Sequence, residues 1–295
     1  MDMFEEAYYQ NDDAAREYLE SVLWPEGPVC PHCGCTGNTT RMNVKRQSGV
    51  YQCNDCRKPF TVTINTVMEG SHVPLHKWLQ ALYLLCASKK GMSAHQMHRM
   101  LGVTYKTAWF MAHRIREAMS NDRMILPPMG GTGHTVEVDE TYCGTIPGAT
   151  MTRGGHHKNK VVSLVERGDE ARSFHVQRVN GATLKPMLAE HIAEGTRIMT
   201  DEAYWYKWLP KGSHFTVNHL AGDYGHGNVT TNTVEGFFAT FKRGLNGTYH
   251  HISNDRLDAY LSEFDFRYNT RTLTDTERTV EAVKGMSGKR LFYYN

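Results

Sequence analysis

Residues 231–244 read TNTVEGFFATFKRG, and the reading of this stretch decides the architecture. Val234, Phe237, Phe238 and Phe241 recur at the three- and four-residue spacing of an amphipathic helix, so one face is built to pack into a core. Glu235 and Lys242 stand seven residues apart, close to two turns, and lie nearly above one another on one face. A surface helix carrying ordinary charges has the same pattern. The chain on either side has to separate the two.

Upstream, TVEVDETYCG alternates as a strand and places Asp139 at its end, with Glu137 on the same face and Glu140 on the other. Two more strand-like runs follow, KVVSLVER and RSFHVQRV, then the helical TLKPMLAEHIAEG. TRIMTD is a further strand ending in Asp201, and SHFTVNH another, before the helix of residues 231–244. Three strands, helix, strand, short helix, strand, helix is the order of a ribonuclease-H-like α/β domain with a mixed sheet, in which the first and fourth strands are neighbours. Asp139 and Asp201 then end adjacent strands, and the helix crosses over them with Glu235. Three converging carboxylates repel unless cations sit among them. Two divalent ions answer this, one activating an attacking oxygen and one stabilising the leaving oxygen of a phosphodiester. Hard oxygen donors suit Mg2+ or Mn2+. Lys242 is then placed to hold a DNA phosphate, and Asn232, one turn before Glu235, either ligates metal or touches DNA.

Seven cysteines occur, and four form a pattern: CPHC at Cys30 and Cys33, CNDC at Cys53 and Cys56, with nineteen residues between the pairs. Two such turns on facing hairpins complete a tetrahedral four-thiolate site for one structural Zn2+. Disulfides would need an oxidising compartment that nothing in the sequence indicates. Cys35 is a competing ligand with poorer spacing, and Cys86 and Cys143 read as buried small apolar residues. Arg41, Lys45, Arg46, Arg57 and Lys58 decorate this ribbon and suit nucleic acid. Before it, NDDAAREYLESVLWPEG reads as a capped helix with a Pro-Gly stop.

Between Pro74 and Met119 the periodicity is helical throughout. A first helix ends at Gly91, a short second one is capped by Ser93 and broken at Gly102, and a basic third begins at Thr104. A short helix, a glycine turn and a basic helix make the helix-turn-helix pattern, with Tyr105, Lys106 and Thr107 at the reading end. A plain three-helix bundle is the alternative. The six Lys or Arg residues from Lys89 to Arg116, with no Asp or Glu among them, favour DNA. Arg114 and Arg243 join the candidate DNA contacts, as do Arg153, Lys158 and Lys160 in the glycine-rich loop MTRGGHHKNK. Trp205, beside Tyr204, either stacks on an unpaired base or packs in the core. His156, His157, His250 and His251 read as polar contacts near DNA rather than metal ligands.

The expected domains are an N-terminal helical segment (1–27), the zinc ribbon (28–70), the helix-turn-helix domain (71–125) and the catalytic domain (132–295), making an α+β multidomain chain. The net charge of +2 conceals an acidic start: residues 1–27 hold eight acids and one base, leaving +9 for the rest. No secretory h-region opens the chain, and the most apolar run, WLQALYLLCA, is too short to span a bilayer. A soluble, cytoplasmic protein without a membrane partner is expected.

The segments EYLESVLWPEGPVCPHCG, YQCNDCRKPFTVTINTVMEGSHVPLHKW, VEVDETYCG, TDEAYWY, TNTVEGFFATFKRGLNGTYHHIS and YLSEFDFRYNTR resemble the zinc-ribbon DDE transposases of bacterial insertion sequences, the ISXO-type group. The resemblance covers nearly the whole chain. It implies Asp139, Asp201 and Glu235 as the catalytic carboxylates and Lys242 as the associated lysine. Some members use Asn as the third residue; here Glu235 fits better than Asn232, and the 33 residues between Asp201 and Glu235 resemble the compact pattern. It further implies binding of double-stranded DNA at terminal inverted repeats, hydrolysis that frees 3′ hydroxyls, and their joining to target DNA. Holding two ends together implies a homodimer or larger complex, bacterial and nucleoid-associated when on DNA. A catalytically silent DNA-binding regulator and a ribonuclease-H-like nuclease without strand transfer are the alternatives.

Overall fold

The computed structural model describes residues 4–44, 47–120, 126–151, 155–217 and 228–291. The chain divides into two compact units, Met1–Ser120 with Leu273–Asn295, and Asn121–Thr272.

The first unit opens with α1 (Asp12–Leu23), where the Asn11 side chain accepts from the backbone N–H groups of Asp13 and Ala14 and so satisfies two of the free donors at the helix start. A three-stranded antiparallel sheet follows in the order β1 (Thr39–Val44), β2 (Gln47–Cys53), β3 (Pro59–Phe60). Cys30, Tyr51, Cys53 and Phe60 form its small core, and Trp24 closes it with edge-on contacts to Tyr51 and Phe60. A sheet this small, with a third strand of two residues, buries little apolar surface. Then come α2 (Leu75–Ala87), α3 (Ala94–Leu101) and α4 (Tyr105–Met119). Ser93 and Thr104 cap α3 and α4 through their hydroxyls, at the positions the sequence indicates. Gly102 ends α3 in the left-handed region at φ 62°, which glycine enters without a Cβ penalty.

The second unit is built on a five-stranded sheet. Its strands are β4 (Thr135–Cys143), β5 (Asn159–Glu166), β6 (Ala171–Val176), β7 (Arg197–Asp201) and β8 (His214–Val217), in the order β6-β5-β4-β7-β8. β4, β5 and β6 are antiparallel, whereas β7 runs parallel to both β4 and β8. The first and fourth strands are therefore neighbours. One face, with Val136, Val138, Val162 and Leu164, is covered by Leu184 and Leu188 of α5 (Gly181–His191) and by Tyr206. The other, with Val161 and Val165, is covered by Phe237, Phe238 and Phe241 of α6 (Asn232–Gly244) and by Leu257, Leu261 and Phe264 of α7 (Leu257–Asn269). Strand alternation explains this division, since successive residues of β4 and β5 point to opposite layers.

The last helix, α8 (Asp275–Lys284), departs from the expected domain of 132–295. It packs on α1, α2 and α4 of the first unit. Arg278 donates to the Cys86 carbonyl at 2.8 Å, and a Cβ on Gly285 would lie 2.3 Å from the Ala118 carbonyl oxygen. The reason is apolar: Ala282, Val283 and Met286 are buried, and the helices of the first unit supply their cover. Cys86 and Cys143 are buried as the sequence suggests. Among the described residues no helix is long and apolar enough to cross a membrane.

Candidate functional site

The four cysteines of the ribbon come together. Cys30 and Cys56 place their Sγ atoms 3.7 Å apart, Cys33 and Cys53 place theirs 3.6 Å apart, and all four lie within 4.8 Å of one another. A zinc ion bound tetrahedrally at about 2.3 Å holds its sulfurs about 3.8 Å apart, so the cluster fits one structural Zn2+ with no position left open. Cys35 is not in this tetrad; its Sγ donates to the Thr36 carbonyl at 3.8 Å. Arg57 and Lys58 are exposed beside the second pair. Lys45 and Arg46 lie outside the described residues.

In the second unit a second ligand cluster forms where β4 and β7 diverge. Oxygens of Asp139, Glu140 and Asp201 lie within 4.8 Å of one another. Asp139 and Asp201 meet as the strand order requires. Glu140 was expected on the opposite face, and its carboxylate does accept from the Tyr206 hydroxyl on that side at 2.8 Å. Yet β7 pairs with β4 only over Thr135–Glu137, so beyond that point β4 keeps β5 on one side and has no paired strand on the other. Both side chains reach the same opening. Tyr206 is buried against the sheet and fixes Glu140 from behind.

The electrostatics of this opening are those of crowded acids. Burial pushes the Asp139 carboxyl up to about 7, with Asp201 and Glu235 adding to the rise, while its own bond from the Glu140 backbone N–H and the charge of Lys242 oppose it. Burial likewise pushes Glu140 up to about 7, countered by the Tyr206 hydrogen bond and reinforced by Asp201 and Asp139. Glu235 sits in the first turn of α6 and Lys242 in its last, both exposed, and both charges reach Asp139. Glu235 also accepts from the Thr231 hydroxyl at 2.8 Å. Among the described residues no histidine joins either cluster. The chemistry of the two donor sets differs: four soft thiolates suit zinc, and carboxylates alone suit a hard divalent ion.

The remaining candidates scatter. Tyr105 is exposed at the start of α4 and stacks on His95 with ring centres 4.3 Å apart; Lys106 beside it is exposed. Arg114 donates through Nη1 to the Val67 and Glu69 carbonyls at 3.1 and 3.2 Å and ties that segment to α4. Trp205 packs against the core around Tyr206, leaving Tyr204 as the exposed ring of the pair. Lys160 donates to the His156 carbonyl at 2.9 Å, and Lys158 is half-buried next to it. Asn232 is exposed at the first position of α6, and Arg243 is exposed and donates to Thr240. Arg153 lies outside the described residues. Glu140 and Tyr206 escaped the sequence reading; the adjacent acids in VEVDETYCG were the only signal.

The first unit thus carries a four-cysteine ribbon, and the second a carboxylate cluster where the parallel strands β4 and β7 diverge. Residues 130–269 match the ISXO2-like transposase domain and residues 10–59 the transposase zinc-ribbon domain, together more than half of the chain. The chain belongs to this transposase family. It is also 29% identical over 280 residues, 88% of its length and 91% of the other's, to a Halobacterium salinarum protein described as an uncharacterized protein in transposable element ISH50.

Proposed function

We propose that the chain is a DNA transposase that cuts phosphodiesters at the ends of its element and joins the freed 3′ ends to target DNA. The observation that carries this is the convergence of Asp139, Glu140 and Asp201 oxygens within 4.8 Å, with Glu235 and Lys242 close enough for their charges to reach Asp139. The strand order β6-β5-β4-β7-β8 supports a ribonuclease-H-like reading of the unit. Two Mg2+ or Mn2+ ions held by Asp139, Asp201 and Glu235, with Glu140 added, would supply charge neutralisation and activation of the attacking oxygen. Lys242 holds the phosphate between the acids and the helix end. In cleavage a water oxygen bonds to phosphorus as the 3′ oxygen leaves; in joining, that 3′ hydroxyl oxygen bonds to a target phosphorus as the target strand's own 3′ oxygen leaves and takes up a proton. No covalent bond to the protein forms in either step.

In this reading the first unit carries the helix-turn-helix and the ribbon, and residues of the second unit add further DNA contacts. The Gly102 turn between α3 and α4 supports a helix-turn-helix that presents Tyr105 and Lys106 to DNA, with Arg57 and Lys58 of the ribbon, Lys158, Lys160, Asn232 and Arg243 adding backbone contacts. Terminal inverted repeats are its specific ligand. Two ends have to be held together for joining, so a dimer or larger assembly acts.

The test uses the purified protein, Mg2+ or Mn2+, and DNA carrying the ends that flank its own gene, with a plasmid as target. Wild type cleaves and joins, whereas Asp139→Asn and Glu235→Gln bind DNA and do neither. Cleavage without joining would reduce the protein to a nuclease. Binding alone by every form would leave a silent regulator. Full activity of Glu235→Gln would remove Glu235 from the site and make Asn232 the next residue to test.

A further inference from the structure

Glu137 stands two residues before Asp139 on the same face of β4, and it is fully buried. Its carboxylate accepts from four donors. Oε2 takes the backbone N–H groups of Thr233 and Val234 at 2.8 and 2.9 Å, and Oε1 takes the Thr233 hydroxyl at 2.9 Å and Arg167 Nε at 2.6 Å. Those backbone groups are the free donors at the start of α6, and Thr231, the residue at the cap position, makes no side-chain cap bond there. The cap of this helix is thus supplied by a strand distant in sequence. Arg167, in the turn after β5, extends the same device: its other two nitrogens donate to the Asn228 carbonyl at 2.7 Å and to the Thr230 carbonyl and hydroxyl at 2.8 and 2.9 Å.

We infer that Glu137 and Arg167 are positioning residues, a clamp that sets the reach of the Glu235 carboxylate toward Asp139. The inference rests on the two-metal reading of the site. Glu137 fixes the start of α6 to the strand that carries Asp139, and Glu235 follows the clamped Val234 directly. Because both acids are referred to one strand, an error in the helix start becomes an error in their separation. Arg167 neutralises the buried carboxylate and holds residues 228–230 in the approach to the helix, so the entry of the chain is set together with its first turn. An apolar residue at 137 would fill the core equally well but would leave the helix start free to shift by tenths of an ångström, which a set of metal ligands does not tolerate.

The test measures Mn2+ binding by electron paramagnetic resonance on the zinc-loaded full chain without DNA, and the Mn2+ concentration that half-saturates cleavage. Wild type, Asp139→Asn, Arg167→Ala, Arg167→Lys and Glu137→Gln are compared. Arg167→Ala is expected to weaken Mn2+ binding about tenfold and to raise the half-saturating concentration by a similar factor, as loss of outer-shell partners does. Metal-free DNA affinity stays within twofold. Free guanidinium at tens of millimolar restores binding in Arg167→Ala, and in no other variant. Arg167→Lys, which keeps the charge but not the fork, falls between wild type and Arg167→Ala. If Arg167→Ala does not fold, Arg167→Lys and Glu137→Gln are judged by the same weakening. Wild-type Mn2+ affinity in the folded clamp variants, with Asp139→Asn impaired, overturns the clamp and keeps the metal site. Unchanged Mn2+ binding in Asp139→Asn overturns the metal site itself.

Discussion

Removing the charge of Asp139 should stabilise the metal-free protein while abolishing its activity. The carboxyl rises from an ordinary 3.8 to about 7 because the folded chain buries it beside Asp201 and Glu235. Below pH 3.8 the group is protonated in both folded and unfolded chains and costs nothing. As pH rises toward 7 the unfolded chain ionises freely and the folded one does not, so stability is lost through this window and the loss is complete above it. At about 1.4 kcal/mol per pH unit the full loss is about 4 kcal/mol, and water reaching a half-buried cleft lowers it to about 2 kcal/mol. Asp139→Asn recovers that amount at pH 8, about 4–8 °C in Tm for a unit of this size. At pH 5 roughly a third of the gain remains, since most of the window then lies above the working pH. The assay is thermal unfolding followed by circular dichroism and tryptophan fluorescence, in metal-depleted buffer with zinc retained in the ribbon. Added Mg2+ raises the Tm of wild type and leaves the variant unmoved. Equal gains at pH 5 and pH 8, or a lower Tm for Asp139→Asn at pH 8, would refute the crowded-acid account.

Other substitutions probe separate parts. Cys53→Ser removes one thiolate of the tetrad, and zinc content measured by a colorimetric chelator should fall well below one per chain, with the ribbon opened to protease. Phe241→Ala empties a fully buried site that packs edge-on to Phe264, so urea unfolding of the second unit should show a loss of about 3–5 kcal/mol. Tyr206→Phe deletes the bond that favours charged Glu140, and the pH dependence of Mn2+ affinity should move to higher pH by up to about one unit. Gly285→Ala forces a Cβ against the Ala118 carbonyl, so hydrogen exchange should quicken in α8 and the end of α4, for a cost of about 1–3 kcal/mol.

Much of this was legible in the sequence because the signals are periodic. The strand alternation around Asp139 and Asp201 and the phenylalanine spacing in α6 gave the layers and their order, and the paired C-x-x-C turns gave the zinc tetrad. What escaped depends on where elements stop or what they touch. Alternation puts Glu140 on the far face, and only the early end of the β4–β7 pairing lets it reach the cluster. Nothing in the local pattern of α8 says which layer it covers, since an amphipathic face fits any apolar partner. Arg114 reads as a free cation until the carbonyls of Val67 and Glu69 are seen to face it. Glu137 looks like one more strand acid, and its role depends on a helix start almost a hundred residues later.

The return of α8 to the first unit makes the second unit an insertion, and this has a consequence for how the chain is made. A ribosome working at about 5–20 residues per second spends about 8–30 s on residues 121–272 before α8 is synthesised. For that time α1, α2 and α4 wait with the face that α8 covers still open. Synthesis stopped anywhere within the second unit therefore leaves the first unit unfinished. A chain released at that point would carry α1, α2 and α4 with the surface that α8 covers exposed to water.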